Sequence, residues 1–396
     1  MMNRKIAFFH DHFFLEKNGV YYSKGGLPAS VWERYLTYFD EMLVFGRCSR
    51  VKSNFNRLSK SSHPQVKFHL LPNLCSFNNR RENRKISQNV ILDSLHNIDF
   101  AVVRLPSEIG YLAIDILTDH NIPYVVEVVD CPFDAHWYHR SFLRKLYSLY
   151  ALNKMKKYVY NAKNVIYVTK EFLQSRYPCS SLNTTNISNV EIPFVYDELI
   201  EQKIKQIQSN FDRKVVRLGV IGNLDNNLKG IDVAIEVVSK LNSNLNADFY
   251  LSIVGSGDGK CYQALTKHLG QTSKVIFEGV LESGEGVFNW MDTIDIFIIP
   301  SLKEGLPRAL IEAMSRGCLC LGSNIAGIPE LLSTNDLFSK RSSDECMEII
   351  EKYISGAYSL KDSIESNIIN ARCYTKDKLE RRRNDFILEC LSDTDG

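Results

Sequence analysis

Residues 299–332 read IPSLKEGLPRALIEAMSRGCLCLGSNIAGIPELL. The apolar run leading in, IDIFIIPS (294–301), has the length of a buried strand and stops at Pro300-Ser301. After a short loop, Pro307 stands where a first helical residue is expected, a position at which its missing N–H would have been unpaired anyway. PRALIEAMSRG then reads as a helix and CLCLGS (318–323) as the next strand. Strand, helix, strand is the unit of a parallel sheet. The loop between them also carries chemistry. Gly305 lets backbone approach a ligand closely. The free N–H groups and positive dipole end of the helix beginning near Leu306–Arg308 form an anion site, and the Arg308 guanidinium suits phosphate oxygens. Glu312 follows Glu304 in the second helical turn. A carboxylate aimed at phosphate would repel it, so Glu312 is read as accepting hydrogen bonds from sugar hydroxyls. The pattern fits a nucleotide diphosphate with its ribose alongside.

The same rhythm runs outward in both directions. Toward the N-terminus, KIAFFH (5–10), EMLVFG (41–46), VKFHLL (66–71), FAVVRL (100–105), YVVEVV (124–129) and NVIYVT (164–169) read as short buried strands. Helical patterns such as SVWERYLTYF (30–39) and GYLAIDILTDH (110–120) alternate with them. The alternation restarts with VVRLGVIG (215–222), KGIDVAIEVVSKLN (229–242), FYLSIVGSG (249–257) and KVIFEGV (274–280). The reading is an α/β protein of two Rossmann-like, doubly wound domains, 1–195 and 196–396, facing across a cleft. The boundary lies near 193–213. In open α/β sheets, ligands bind beyond the carboxyl ends of the strands at the point where strand order reverses.

Composition narrows the class. The 396 residues are 44% hydrophobic and 24% charged, which excludes disorder and fibrous structure. No apolar run reaches the roughly 18 residues of a membrane span, and the N-terminus does not read as a secretory leader. A cytoplasmic protein is expected. The ten cysteines contain no C-x-x-C pair and are expected reduced. The net charge of +2 conceals 25 Lys and Arg against 16 Asp and Glu in residues 1–195, and 23 against 30 in the remainder. A basic half and an acidic half point to different partners.

The run E-G-L-P-R-A-L-I-E-A-M with G-C-L-C-L-G-S-N-I-A-G-I-P-E closely resembles the signature of glycosyltransferase family 4: two glutamates with seven residues between them, an E-A-M-x-x-G turn and a G-G-I-P-E loop. The resemblance implies a GT-B fold and retaining transfer from a nucleotide-sugar. It implies that Glu304 contacts hydroxyls of the donor sugar, Glu312 the ribose, and the backbone from Gly305 to Arg308 the diphosphate. GNLDNNLKGIDVAIE (222–236) resembles the family's G-R-L-x-x-x-K-G-x-D segment, so Lys229 takes the place of the lysine on the diphosphate. The usual arginine is Asn223 here, which removes a fixed cation unless Arg308 substitutes. SIVGSGDGK (252–260) matches the G-x-G turn, and VIFEGVL (275–281) the V-x-F-x-G segment that places backbone at Val280 against the base. Ser23-Lys24-Gly25-Gly26, expected just after the first strand, matches the glycine loop near the donor phosphates. Many members carry a histidine after the strand that is YVVEVV here. This chain has Val129 and Asp130 instead, with His136 and His139 following, and either Asp130 or His136 is the candidate polar contact at the reacting sugar.

By that resemblance the departing phosphate takes the acceptor proton, and positioning with electrostatic stabilisation supplies the rate. The strand-to-loop segments hold no D-x-D motif, so neither metal nor cofactor is expected. Residues 140–163, RSFLRKLYSLYALNKMKKYVYNAK, combine seven basic residues with a face of Phe142, Leu146, Leu149 and Tyr150. That face either docks on an anionic membrane, where a lipid-linked acceptor sits, or packs into the core. No nucleic-acid module accompanies the basic residues, and no nucleic-acid partner is expected. The helical tail KDKLERRRNDFILECL (376–391) is expected to pack back on the N-terminal domain. The expected function is transfer from a nucleotide diphosphate sugar, UDP favoured, to a glycan or lipid-linked acceptor in surface polysaccharide biosynthesis. The protein would be cytoplasmic, or peripheral on the inner membrane face. A donor-consuming epimerase or hydrolase and a non-catalytic GT-B subunit are the alternatives.

Overall fold

The computed structural model describes residues 4–24, 26–48, 58–75, 79–137, 141–193, 195–245 and 247–392. The chain forms two compact units: 1–168 with 173–187 and 380–396, and 169–172 with 188–379. The chain passes to the second unit after Ile187, upstream of the 195/196 division read from the sequence, and its C-terminal helix (Lys376–Ser392) lies in the first unit from Glu380 onward.

The first unit is built on β1 (Lys5–Lys17), β2 (Val20–Ser23), β3 (Glu41–Cys48), β4 (Ser59–Lys60), β5 (Val66–Leu71), β6 (Phe100–Leu105), β7 (Tyr124–Val128), β8 (Asn164–Tyr167) and β9 (Thr184–Asn186). Its parallel strands run β5-β3-β1-β6-β7-β8-β9, so strand order reverses between β1 and β6. Ile6, Ala7, Phe8 and Phe9 on β1 and Phe100 to Val103 on β6 are fully buried. Central strands covered on both faces require such continuous apolar runs.

β1 is much longer than the expected 5–10. Beyond Phe9 it turns back through Asn18-Gly19, both at positive φ, into antiparallel β2, and β2 pairs β4. Ser23 therefore ends β2 of this hairpin, and Lys24 and Gly26 follow the hairpin rather than the first strand; Gly25 lies outside the described residues. Register against β3 jumps from Phe9↔Phe45 to Phe13↔Arg47, so His10, Asp11 and His12 bulge out opposite Gly46 alone. A Cβ at Gly46 would stand 2.6 Å from the Phe14 ring and 3.1 Å from the His12 carbonyl oxygen, so a larger residue there would have to displace that ring.

Beneath this sheet end lies a buried ionic cluster. Arg104 donates through Nε and Nη2 to Glu127 Oε2 at 2.9 and 2.7 Å, and Tyr35 donates to Oε1 at 2.7 Å. Arg383, from the C-terminal helix, is fully buried within the same electrostatic group. Burial by itself would raise the Glu127 carboxyl, but Arg104, then Arg383, outweigh it and hold it at about 2. Because its folded value lies below the ordinary 4.5, the stability it contributes is complete above that value and is lost as pH falls toward 2. Replacing Glu127 with Gln removes the counter-charge of buried arginines and is expected to cost about 3–5 kcal/mol in urea denaturation at pH 7.

The second unit holds β10 (Val215–Ile221), β11 (Asp248–Val254), β12 (Val275–Gly279), β13 (Ile296–Ile299), β14 (Leu319–Ser323) and β15 (Leu337–Phe338). They form one parallel sheet ordered β12-β11-β10-β13-β14-β15. Here the reversal lies between β10 and β13, the two strands whose C-terminal ends lead into the lysine and glutamate loops.

Candidate active site

The loop after β10 is fixed by its own side chains. Asn223 Oδ1 accepts from Asp225 N at 2.8 Å and from Asn226 Nδ2 at 3.1 Å, while its Nδ2 donates to Ser256 Oγ at 3.2 Å. Asn226 Oδ1 accepts from Leu228 N at 3.0 Å, and Tyr262 donates to the Asn226 carbonyl at 2.7 Å. Two glycines set how closely the loops approach. A Cβ on Gly255 would stand 1.7 Å from the Gly222 carbonyl oxygen. One on Gly230, which has φ +64°, would stand 2.0 Å from the Pro300 oxygen. Lys229 is thereby delivered beside the loop that leaves β13, where Leu302 N donates to Leu228 O at 2.8 Å.

Glu304 is 7% exposed, and two groups converge on one of its oxygens. Lys229 Nζ donates to Oε1 at 2.6 Å and Ser301 Oγ to the same atom at 2.7 Å. Oε2 has no partner among the described residues. Ser301 is itself held by Ser323, whose hydroxyl donates to the Ser301 carbonyl at 2.8 Å. An oriented carboxylate with one open oxygen beside a lysine can accept a hydroxyl through the first and leave the second's charge for an anion.

Pro307 is the N-cap of the helix Arg308–Ser315 rather than its first residue, with φ −77° and ψ 110° and no side-chain cap. Gly305 and Leu306 precede it on a half-buried loop, and Arg308 is exposed at the helix start. Glu312 is half-buried one turn on. Burial raises its carboxyl above the usual range, and Arg308 opposes that rise. Gly327 N donates to the Gly305 carbonyl at 3.1 Å, locking the glutamate loop to the G-I-P-E loop. In that loop the Glu330 carboxylate accepts backbone N–H groups of Lys170 (2.5 Å), Glu171 (3.1 Å) and Phe172 (2.7 Å). Val280 follows Gly279, which sits at φ +73°, and is 68% exposed.

The structure thus gathers Lys229, Glu304 and the 305–308 backbone at the strand reversal of the second unit, with Asn223 bonded into the adjacent loop. Gly26, Asp130 and His136 belong to the first unit. Gly26 is exposed at φ +83°. Asp130 Oδ1 accepts from Cys131 N at 2.7 Å, just after β7. His136, on the short helix Pro132–Trp137, meets the Tyr147 ring edge-on at 4.9 Å. His139 and Arg140 lie outside the described residues.

Residues 215–355, which hold Lys229, Glu304 and Glu312, match the family model described as glycosyl transferases group 1. Over 386 residues the chain is 31% identical to Protein CapJ of Staphylococcus aureus, covering 97% of this chain and 95% of that one. The chain belongs to the group 1 glycosyl transferases. Its fold is GT-B. HepE of Anabaena, solved in complex with UDP, superposes with a TM-score of 0.65 at 17% identity over 98% of this chain and 100% of that one. A segment of 140 residues, 34% of either chain, is 31% identical to the Escherichia coli UDP-Gal:alpha-D-GlcNAc-diphosphoundecaprenol alpha-1,3-galactosyltransferase.

Sequence reading missed two residues of this glycosyltransferase's site. Ser301 orients Glu304, and only its place three residues ahead of the glutamate hinted at it. Glu330 stood in plain view in G-I-P-E, but its three backbone partners lie at residues 170–172, and no local pattern reveals a contact so distant in sequence.

Proposed function

We propose that this glycosyltransferase moves a sugar from a UDP-sugar, with retention at the anomeric carbon, onto a lipid-linked or glycan acceptor in surface polysaccharide biosynthesis. The observation that carries this reading is the Glu304 carboxylate, with Lys229 and Ser301 on one oxygen and the other oxygen open. Glu304 Oε2 accepts a hydroxyl of the donor sugar. Lys229 turns its charge to the diphosphate, together with the N–H groups from Gly305 to Arg308, and these stabilise the leaving group as its charge develops. Arg308 supplies the cation that Asn223 does not. Glu312 takes the ribose hydroxyls, a role that suits a partly desolvated carboxylate, and the backbone at Val280 meets the base. The departing phosphate accepts the acceptor's proton, so the reaction needs neither a side-chain base nor a metal, and transfer should persist in EDTA. Within the first unit, Gly26 stays the candidate for the donor phosphates and either Asp130 or His136 the candidate polar contact to the reacting sugar. UDP is favoured by the ligand of the HepE structure and by the donor in the E. coli relative's name, and that name also motivates the lipid-linked acceptor.

The helix Phe142–Tyr160 supports a peripheral membrane location. It is held to the protein by Ser148, Ala151, Met155 and Val159, and these are not the residues of the apolar face read from the sequence. Phe142, Leu146, Leu149 and Tyr150 are each more than half exposed, as is Leu143 beside them. Apolar and aromatic side chains outward among lysines and arginines suit insertion into an anionic bilayer surface. The protein is expected to sediment with phosphatidylglycerol vesicles at low salt and to lose that binding in Phe142→Asp/Leu146→Asp. Wild-type protein left in the supernatant would remove the membrane from this account.

The reading as a whole is tested by incubating UDP-sugars with acceptor and following the product's anomeric signal by NMR. Retained configuration with acceptor-dependent UDP release supports it. UDP release unchanged by acceptor would make the protein a hydrolase, and inversion would contradict the mechanism.

A further inference from the structure

The first unit has a strand reversal of its own, between β1 and β6, and where their pairing ends, at Phe9↔Val103, β1 departs from regular structure. His10, Asp11 and His12 form the bulge opposite Gly46. Bulges of this kind re-aim side chains, and this one is pinned on several sides. Asp11 accepts the backbone N–H of Glu108 at 2.7 Å and of Ile109 at 3.3 Å, at the start of the helix Glu108–Asp119. Arg47 donates through Nε and Nη2 to the Asp11 carbonyl at 2.9 and 2.7 Å. His12 Nε2 meets Ser23 Oγ, at the end of β2, at 2.6 Å, and its ring lies nearly parallel to that of His10.

His10 is left with one nitrogen for a ligand. Its Nδ1 stands 3.3 Å from the Arg104 carbonyl oxygen, which can only accept, so Nδ1 carries the hydrogen. In the neutral ring Nε2 then carries a lone pair, and Nε2 has no partner among the described residues. Burial, with Arg104 and His12 adding to it, holds the His10 pKa at about 3, so the ring is neutral at pH 7. A lone pair on a neutral ring favours an O–H donor and disfavours a phosphate or carboxylate oxygen. We propose that His10 Nε2 is a specificity-determining contact that accepts a hydrogen bond from a hydroxyl of the acceptor's sugar. The site rests on the glycosyltransferase reading above. It assigns recognition of the acceptor's neutral sugar, rather than any charged group, to the bulge within β1.

The test uses full-length protein labelled with 15N-histidine and three probes, the octyl glycosides of glucose, galactose and N-acetylglucosamine. The free protein is expected to show His10 as the Nδ1–H tautomer at pH 7. A bound glycoside should move its Nε2 resonance upfield. His10→Phe should weaken glycoside binding, and raise the acceptor KM, about tenfold, the size of one lost hydrogen bond. Its donor KM should stay within twofold of wild type, and His10→Gln, which keeps an acceptor atom, should recover much of the loss. An Nε2–H tautomer, a folded His10→Phe protein with unaltered glycoside affinity, or a wild-type protein that binds none of the three probes would overturn the proposal. Glycoside binding through His10 without transfer from any nucleotide-sugar would overturn the assigned function while leaving this site in place.

Discussion

Glu304→Gln should lower kcat about 100-fold while leaving UDP affinity equal to or tighter than wild type. The size follows from removing one pre-oriented polar partner of the reacting sugar in a shielded site. The amide keeps the volume of the carboxylate and can still accept from Lys229 or Ser301 through one atom. What it presents to the donor sugar is then an N–H pair where an acceptor oxygen belongs. The charge effect runs the other way for the nucleotide. Lys229 now gives its charge to Glu304 Oε1 at 2.6 Å, and without that carboxylate the ammonium is fully available to the diphosphate. Steady-state kinetics alongside UDP titration separate these effects. A variant that loses UDP binding but keeps kcat would place Glu304 on the nucleotide instead of the sugar.

Gly255→Ala should destabilise the second unit by about 3 kcal/mol or more and abolish UDP binding, a larger effect than most overpacking substitutions give. The new methyl would stand 1.7 Å from the carbonyl oxygen of Gly222. The methyl is fixed to its own Cα and the oxygen is backbone at the end of the adjacent parallel strand, so no side chain can rotate away. Relief requires the end of β10 to move, and with it the loop carrying Asn223 and Lys229. Gly270→Ala is the matched control. Gly270 has φ +69° but nothing within 4 Å of a built Cβ, so its cost is the left-handed backbone alone, about 1–2 kcal/mol. Urea denaturation of the two variants compares a steric overlap at the site with simple backbone strain elsewhere. Equal costs would show that the β10 and β11 ends yield more readily than their packing implies.

Both sheets were legible because central parallel strands must be apolar on both faces, so KIAFFH and IDIFIIPS stand out from any neighbouring helix. The extension of β1 through Lys17 was not, since HDHFFLEK carries polar residues that remain a strand only through pairing with β2 and β3. Helical spacing identified the set Phe142, Leu146, Leu149 and Tyr150 but not which side of the helix the protein covers; that is decided by Ser148, Ala151, Met155 and Val159. Asn223 shows a related gap. The sequence reads it as a cation withheld, and the structure shows it used as a fastener, bonding Asp225, Asn226 and Ser256. The passage between units at Ile187, and the burial of Arg383 from the far end of the chain beside Glu127, depend on contacts remote in sequence.

The central claim, that the Lys229–Glu304 corner of the second unit receives a uridine diphosphate, is tested most directly by thermal unfolding with UDP, GDP, ADP and CMP, in wild type and Lys229→Ala. At a hundredfold its Kd a ligand adds about 2.7 kcal/mol to the folded state. The account predicts that UDP raises the wild-type Tm above what the other three achieve, and that Lys229→Ala removes most of the rise. No rise with any nucleotide, or a UDP response that survives loss of Lys229, would contradict it.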